Sequence, residues 1–137
     1  MTTNILVAGK SAANVRLVKE AFHGQDYQVI PAPSMSLALF LSRKNLPALI
    51  LCDLEMIDGD PHQFLHELRA DDELCRVPFM VMAHTPLSDE ERKKFMSTGT
   101  ALVLNGAEEI SDMLSIIEPY IAARLASKEE RPEETTE

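Results

Sequence analysis

The residues best placed for chemistry are carboxylates, imidazoles and thiols at the ends of short apolar runs. Asp53 closes Leu49-Ile50-Leu51-Cys52, the most apolar stretch of the chain, and His84 follows a second such stretch, Phe79 to Ala83. His62 and His66 are four residues apart, a spacing that on a helix lets two imidazoles chelate a transition metal. The segment between them lacks the Glu of the zinc-protease motif and no third ligand is evident, so the pair reads as an exposed polar face. Cys52 sits beside Asp53, yet a thiol within a central apolar run is ordinarily inert core. Neither Cys52 nor Cys75 is assigned to a disulfide, and both read as thiols of a reducing cytoplasm. No Gly-rich phosphate loop, Ser/His/Asp arrangement or Cys/His cluster is present, and the chain is not expected to be an enzyme.

Side chains of this kind act only where secondary structure brings them together, and the rhythm of apolar residues supplies the elements. Ile5 to Ala8 is a continuous apolar run ended by Gly9, as in a strand buried on both faces of a parallel sheet. Ser11 caps a helix with an apolar stripe of Val15, Leu17, Val18 and Phe22, which Gly24 stops. Tyr27 to Ala32 forms a less apolar strand, and Pro31 and Pro33 suit a sheet edge. Ser34 or Ser36 opens a helix through Leu37, Leu39, Phe40 and Leu41 that ends near Asn45, before Pro47. Leu49 to Cys52 then takes the sheet centre. Pro61 starts a third helix with Phe64, Leu65 and Leu68 turned inward. Phe79 to Ala83 is the fourth strand, and Ser88 with Glu91 forms a capping box for a fourth helix that runs to Ser97. Ala101 to Leu104 is the fifth strand, and a last helix from Ala107 or Glu108 buries Ile110, Met113, Leu114, Ile117 and Ile121. Strand and helix repeated five times specify an α/β doubly wound parallel sheet of five strands with five helices. Sites in such sheets lie at the carboxyl ends of the strands, here Ala8 to Lys10, Asp53, Ala83 to His84 and Asn105 to Gly106.

Length and composition agree with one domain. The 137 residues are 45% hydrophobic and 26% charged, as in a globular protein with a single core. Residues 1–126 form that domain, and 127–137, with five acids, two bases and no apolar side chain, read as an acidic disordered tail. A net charge of -9 and a pI near 4.9 argue against direct binding to nucleic acid or to an anionic membrane. The longest apolar run, Leu46 to Cys52, is far shorter than the roughly 20 residues of a membrane span. With no signal peptide at Met1-Thr2-Thr3-Asn4, a cytoplasmic chain without membrane insertion is expected.

The motifs also resemble those of a known family. Asn4-Ile5-Leu6-Val7-Ala8, the segment Asp53-Leu54-Glu55-Met56-Ile57-Asp58-Gly59, the stretches Phe64 to Arg69 and Val77 to Met82, and Gly99 are similar to the receiver domains of bacterial two-component response regulators. The likeness spans about residues 4 to 125 and implies a flavodoxin-like (βα)5 fold. It further implies a phosphoryl-transfer site: an aspartate acceptor, an acidic pair holding magnesium, and a hydroxyl and a lysine that neutralise the phosphoryl oxygens. Asp53 falls at the acceptor. The acidic pair falls on Gly9 and Lys10, the hydroxyl on Ala83, and the lysine on Gly106. Loss of one preorganised contact to a developing anion typically costs roughly 3 to 4 kcal/mol, and several are missing together. The rotamer-switch position holds Val103 and the usual proline is replaced by Ala107.

The resemblance thus implies a pseudo-receiver, with no cofactor and with magnesium binding lost. Its expected function is phosphorylation-independent signalling through protein partners of a bacterial pathway. The alternative is a degenerate phosphoacceptor slowly phosphorylated on Asp53 by a histidine kinase. A third possibility is a small ligand in the remodelled pocket, which comprises Gly9, Lys10, Glu55, Ala83, His84 and Gly106. Lys10, on the family's backbone path, could place its ammonium beside Asp53 where the metal charge would be. The family's common docking face of helix four, strand five and helix five makes Lys93, Lys94, Met96, Val103 and Tyr120 candidate contacts, for a partner or for a homodimer.

Overall fold

The computed structural model describes residues 3–129, in which strands and helices alternate along the chain. They are β1 (Thr3–Ala8), α1 (Ala12–Ala21), β2 (Tyr27–Ala32), α2 (Met35–Asn45), β3 (Leu49–Asp53), α3 (Pro61–Arg69), β4 (Phe79–Ala83), α4 (Asp89–Ser97), β5 (Leu102–Asn105), α5 (Ala107–Ser111) and α6 (Met113–Glu129). The strands form one parallel sheet in the order β2-β1-β3-β4-β5. The most apolar strand, β3, is central, and β2, with Pro31 within it and Pro33 just after it, is an edge, as the composition of each predicts. Alternation along every inner strand divides the core in two. Leu6, Ala8, Ile50, Cys52, Phe79, Val81 and Val103 face one layer with Phe64, Leu65 and Phe95. Ile5, Val7, Leu49, Leu51, Met80, Met82 and Leu104 face the other with Val18, Met113, Ile117 and Ile121. Leu49, Ile50 and Leu51 are fully buried, and each such side chain contributes roughly 1.5 to 3 kcal/mol of transfer free energy.

Local signals place the helix starts where the sequence puts them. The side chains of Ser11, Ser34, Asp60 and Ser88 accept from the backbone N–H three residues on, and Ser88 with Glu91 completes the capping box. Pro61 occupies the first turn of α3.

Other expectations are corrected. The final helix is broken: Asp112, at φ -94° and ψ 15°, separates α5 from α6, so six helical segments surround the sheet among the described residues. α6 continues to Glu129, past the boundary drawn at residue 126, and the rest of the tail, 130–137, lies outside the described residues. β5 is shifted one residue toward Asn105. Leu17 is 36% exposed instead of part of the inward stripe of α1, where Asn14 and Val18 are buried. For α2, where the sequence assigns no inward face, Met35, Ala38 and Ser42 are buried while Leu37 and Phe40 point to solvent. The cause lies outside the helix. Asp58 accepts from the Met35 and Ser36 amides at 2.8 and 3.2 Å and from Ser36 Oγ at 2.5 Å, which pins the first turn and sets its rotation.

Candidate functional site

The parallel strands bring Gly9, Asp53, His84 and Gly106 to one edge of the sheet. Asp53 ends β3 and is partly buried, with Oδ1 accepting the Leu54 amide at 2.9 Å. Gly9 follows β1 at φ +140°, a conformation that L residues rarely adopt. A Cβ there would fall inside van der Waals contact of the Asp53 Cβ and lie 3.2 Å from Asp53 Cγ and Oδ2. The end of β1 therefore presses glycine backbone directly against the carboxylate. Beyond it, the Lys10 amide donates to the Glu55 carbonyl at 3.0 Å and ties the loops after β1 and β3 together.

Asp53's neighbours differ from those expected. The Lys10 side chain is exposed, and among the described residues Asp53 forms no salt bridge. The predicted Lys10 ammonium beside the carboxylate is thus absent, because the Gly9 turn sends that side chain to solvent. The cationic influence on Asp53 comes from His84, and the polar influence from Asn14 and the backbone of Leu54 and Ser11. Burial outweighs them and holds the Asp53 pKa above the ordinary carboxylate value. Asn14 is 1% exposed and its Oδ1 meets His84 Nε2 in a short contact. Its Nδ2 completes no hydrogen bond, although the amide still draws the Asp53 pKa down. Asn14 and Val18, four residues apart, share the buried face of α1, so the helical stripe marks a residue that hydrophobicity alone passes over.

The residues around Asp53 do not fit a magnesium ion. Magnesium needs near-octahedral hard oxygen donors, yet Gly9 and Lys10 bring no carboxylate, Glu55 is exposed, and the Asn14 oxygen is engaged by His84. Among the described residues no three His, Cys, Asp or Glu side chains converge as a metal cluster. Ala83 is fully buried and offers only a methyl group. Gly106, at φ +98°, donates its amide to the Ala83 carbonyl at 2.7 Å, and a Cβ there would lie 3.4 Å from Pro86 Cγ. Asn105 Oδ1 accepts the Leu87 amide at 2.6 Å and joins the loop after β4 to β5. A cleft of about 280 Å³ lined by Gly9, Lys10, Ser11, Val15, Pro31 and Pro33 opens on the β2 side of the Gly9 turn.

The remaining sequence candidates are dispersed. Lys93, Lys94 and Met96 are exposed on α4, and Tyr120 is partly buried on α6. Val103, 4% exposed, belongs to the core and cannot serve as a surface contact, because β5 turns it under α4. The His62 ring stacks on Phe95 at 4.0 Å, and among the described residues no third ligand joins it and His66. Burial, with the charges of Asp53 and Asp60, drives the Cys52 thiol pKa upward, so the residue is inert core. Arg69 escaped the sequence reading. It donates to the Cys75, Val77 and Gly99 carbonyls at 2.9 to 3.1 Å and fastens the turns before β4 and β5.

A five-stranded parallel sheet in this order, with an aspartate ending its central strand, is the receiver-type flavodoxin-like fold. The chain is 29% identical over 93 residues to the polar-differentiation response regulator DivK of Brucella abortus, covering 67% of this chain and 76% of that protein. The DivK of Brucella anthropi is 28% identical over the same shares. Among solved structures, the chemotaxis response regulator CheY4 of Vibrio cholerae superposes with a TM-score of 0.73 at 18% identity, over 85% of this chain and 99% of that one. The non-phosphorylated HemR receiver domain of Leptospira biflexa gives 0.74 at 22%, over 88% and 94%. No protein-family model matches the chain. The chain thus has the receiver-type fold and is similar in sequence to response regulators.

Proposed function

We propose that this chain is a pseudo-receiver: a signalling domain that works through protein contacts without phosphorylation of Asp53. The observation that carries this reading is the Gly9 turn, which sets glycine backbone against Asp53 where metal-binding carboxylates would be needed. Asp53 keeps its place at the end of β3, but Gly9, Lys10, Ala83 and Gly106 offer no carboxylate pair, hydroxyl or lysine to support transfer. The domain has no enzymatic activity of its own and needs no magnesium or other cofactor. Its partners are proteins of bacterial response-regulator signalling, met in the cytoplasm. The competing reading, slow phosphorylation of Asp53 by a histidine kinase, draws on the partly buried carboxylate that remains.

Amide NMR spectra with magnesium, then with magnesium and beryllofluoride, separate the two. The pseudo-receiver reading expects spectra unchanged by either addition and signalling undisturbed by Asp53→Ala. Saturable shifts at Asp53, Ala83 and Gly106 would overturn it in favour of the phosphoacceptor.

A further inference from the structure

The outward face of α2 sets two large apolar side chains, Leu37 and Phe40, among the exposed Ser36, Arg43 and Lys44. Leu37 is 39% and Phe40 58% exposed, and Ile57, 51% exposed, adjoins the first turn through its carbonyl, which accepts the Met35 amide at 2.9 Å. The other large exposed hydrophobics among the described residues away from α2, namely Leu17, Met96 and Leu125, stand on three different helices. Scattered apolar side chains are normal on a surface, whereas a contiguous stripe marks an interaction site.

The charges beside this stripe are self-complementary. Lys44 Nζ lies over the Phe40 ring, 6.0 Å from its centroid, and Asp58 is held at Ser36. Ser36 and Lys44 are each four residues from Phe40, so each lies about 6 Å along the helix from it, in opposite directions. Two copies of α2 packed antiparallel on a two-fold axis through Phe40 would therefore set each Lys44 against the partner's Ser36 and Asp58. The same operation stacks the two Phe40 rings and brings each Leu37 to the partner's Arg43, whose guanidinium is held at its own Asp71 at 2.9 Å. Hydrogen bonds from Ser36 lower the Asp58 pKa, so the carboxylate is charged at neutral pH.

We infer that α2 is a homodimerisation face, with a second copy of this chain as its occupant and Phe40 on the symmetry axis. The interface is isologous, as two-fold dimers are. One helix of 11 residues is about 16 Å long. It presents less than the roughly 800 Å² per partner of a stable complex, so the dimer is weak. This inference is independent of whether Asp53 is ever phosphorylated.

Sedimentation velocity of the full chain from about 10 µM to 1 mM tests it. A dimer that grows with concentration is expected, and Phe40→Glu should weaken it by about tenfold or more, as loss of a central aromatic anchor does. Phe40 is exposed, so the substituted chain should fold, which circular dichroism checks. In a Cys75→Ser background, Phe40→Cys should cross-link to itself on mild oxidation, whereas Met96→Cys should not. A monomer throughout the range would overturn the assignment. So would a dimer that survives Phe40→Glu, or one cross-linked through position 96 and not through position 40.

Discussion

Gly9→Ala adds one methyl group at the point where β1 meets Asp53. Its Cβ would overlap the Asp53 Cβ and approach Cγ and Oδ2 to 3.2 Å, on a backbone held at φ +140°. A sparsely populated backbone conformation costs roughly 1 to 3 kcal/mol, and an overpacked site about the same again. The alanine also restricts the unfolded chain, offsetting roughly 0.4 to 1 kcal/mol. The expected net loss is about 1 to 5.6 kcal/mol, a sizeable fraction of the ~5 to 15 kcal/mol stability of a typical domain. Urea unfolding followed by circular dichroism measures it. Repeating the substitution in an Asp53→Gly background removes the opposing Cβ and leaves only the backbone strain. The cycle should then show a coupling of about 1 to 3 kcal/mol between positions 9 and 53. A Gly9→Ala loss below about 0.5 kcal/mol, within the range of ordinary surface substitutions, would refute the close approach. The same geometry makes Gly9→Asp more damaging than Gly106→Lys, since a Cβ at Gly106 meets Pro86 Cγ only at an ordinary 3.4 Å.

Further outcomes follow from the same contacts. Burial raises the Asp53 pKa, so the native chain binds its proton more readily than the unfolded one. That contribution to stability is complete below the ordinary carboxylate pKa and is lost as pH rises through the native value. Asp53→Asn should therefore raise the melting temperature at pH 7 and lose its advantage near pH 3; equal melting at pH 7 would contradict the burial. Arg69→Ala should destabilise by roughly 2 to 4 kcal/mol in urea, because three backbone carbonyls lose a charged donor. Arg69→Lys should recover only part of this, since a single ammonium cannot reproduce the guanidinium fork.

The extent to which this chain can be read without its fold depends on the range of each interaction. β4 lies at the residues its apolar run delimits, and Ser88, Pro61 and Asp60 open their helices by contacts within three residues. The central place of β3 and the edge place of β2 follow from how apolar each strand is, since inner strands are the most completely covered on both faces. The position of Asp53 at the end of β3 follows from the same local pattern.

Rotation and pairing were decided in three dimensions. Leu37 and Phe40 are apolar yet stand on the outer face of α2, because Asp58, 23 residues from Met35, turns that helix so that small Ala38 and Ser42 face inward. Asn14 meets His84 across 70 residues, and Arg69 reaches Gly99 across 30. Such contacts form only after chain closure, so no local spacing encodes them. The apolar runs and the helix and turn signals alone specify a five-stranded parallel sheet with one carboxylate at the end of its central strand. Long-range packing sets glycine backbone and a His84–Asn14 pair, not Lys10, around Asp53, because Gly9's left-handed turn and the packing of α1 aim those side chains.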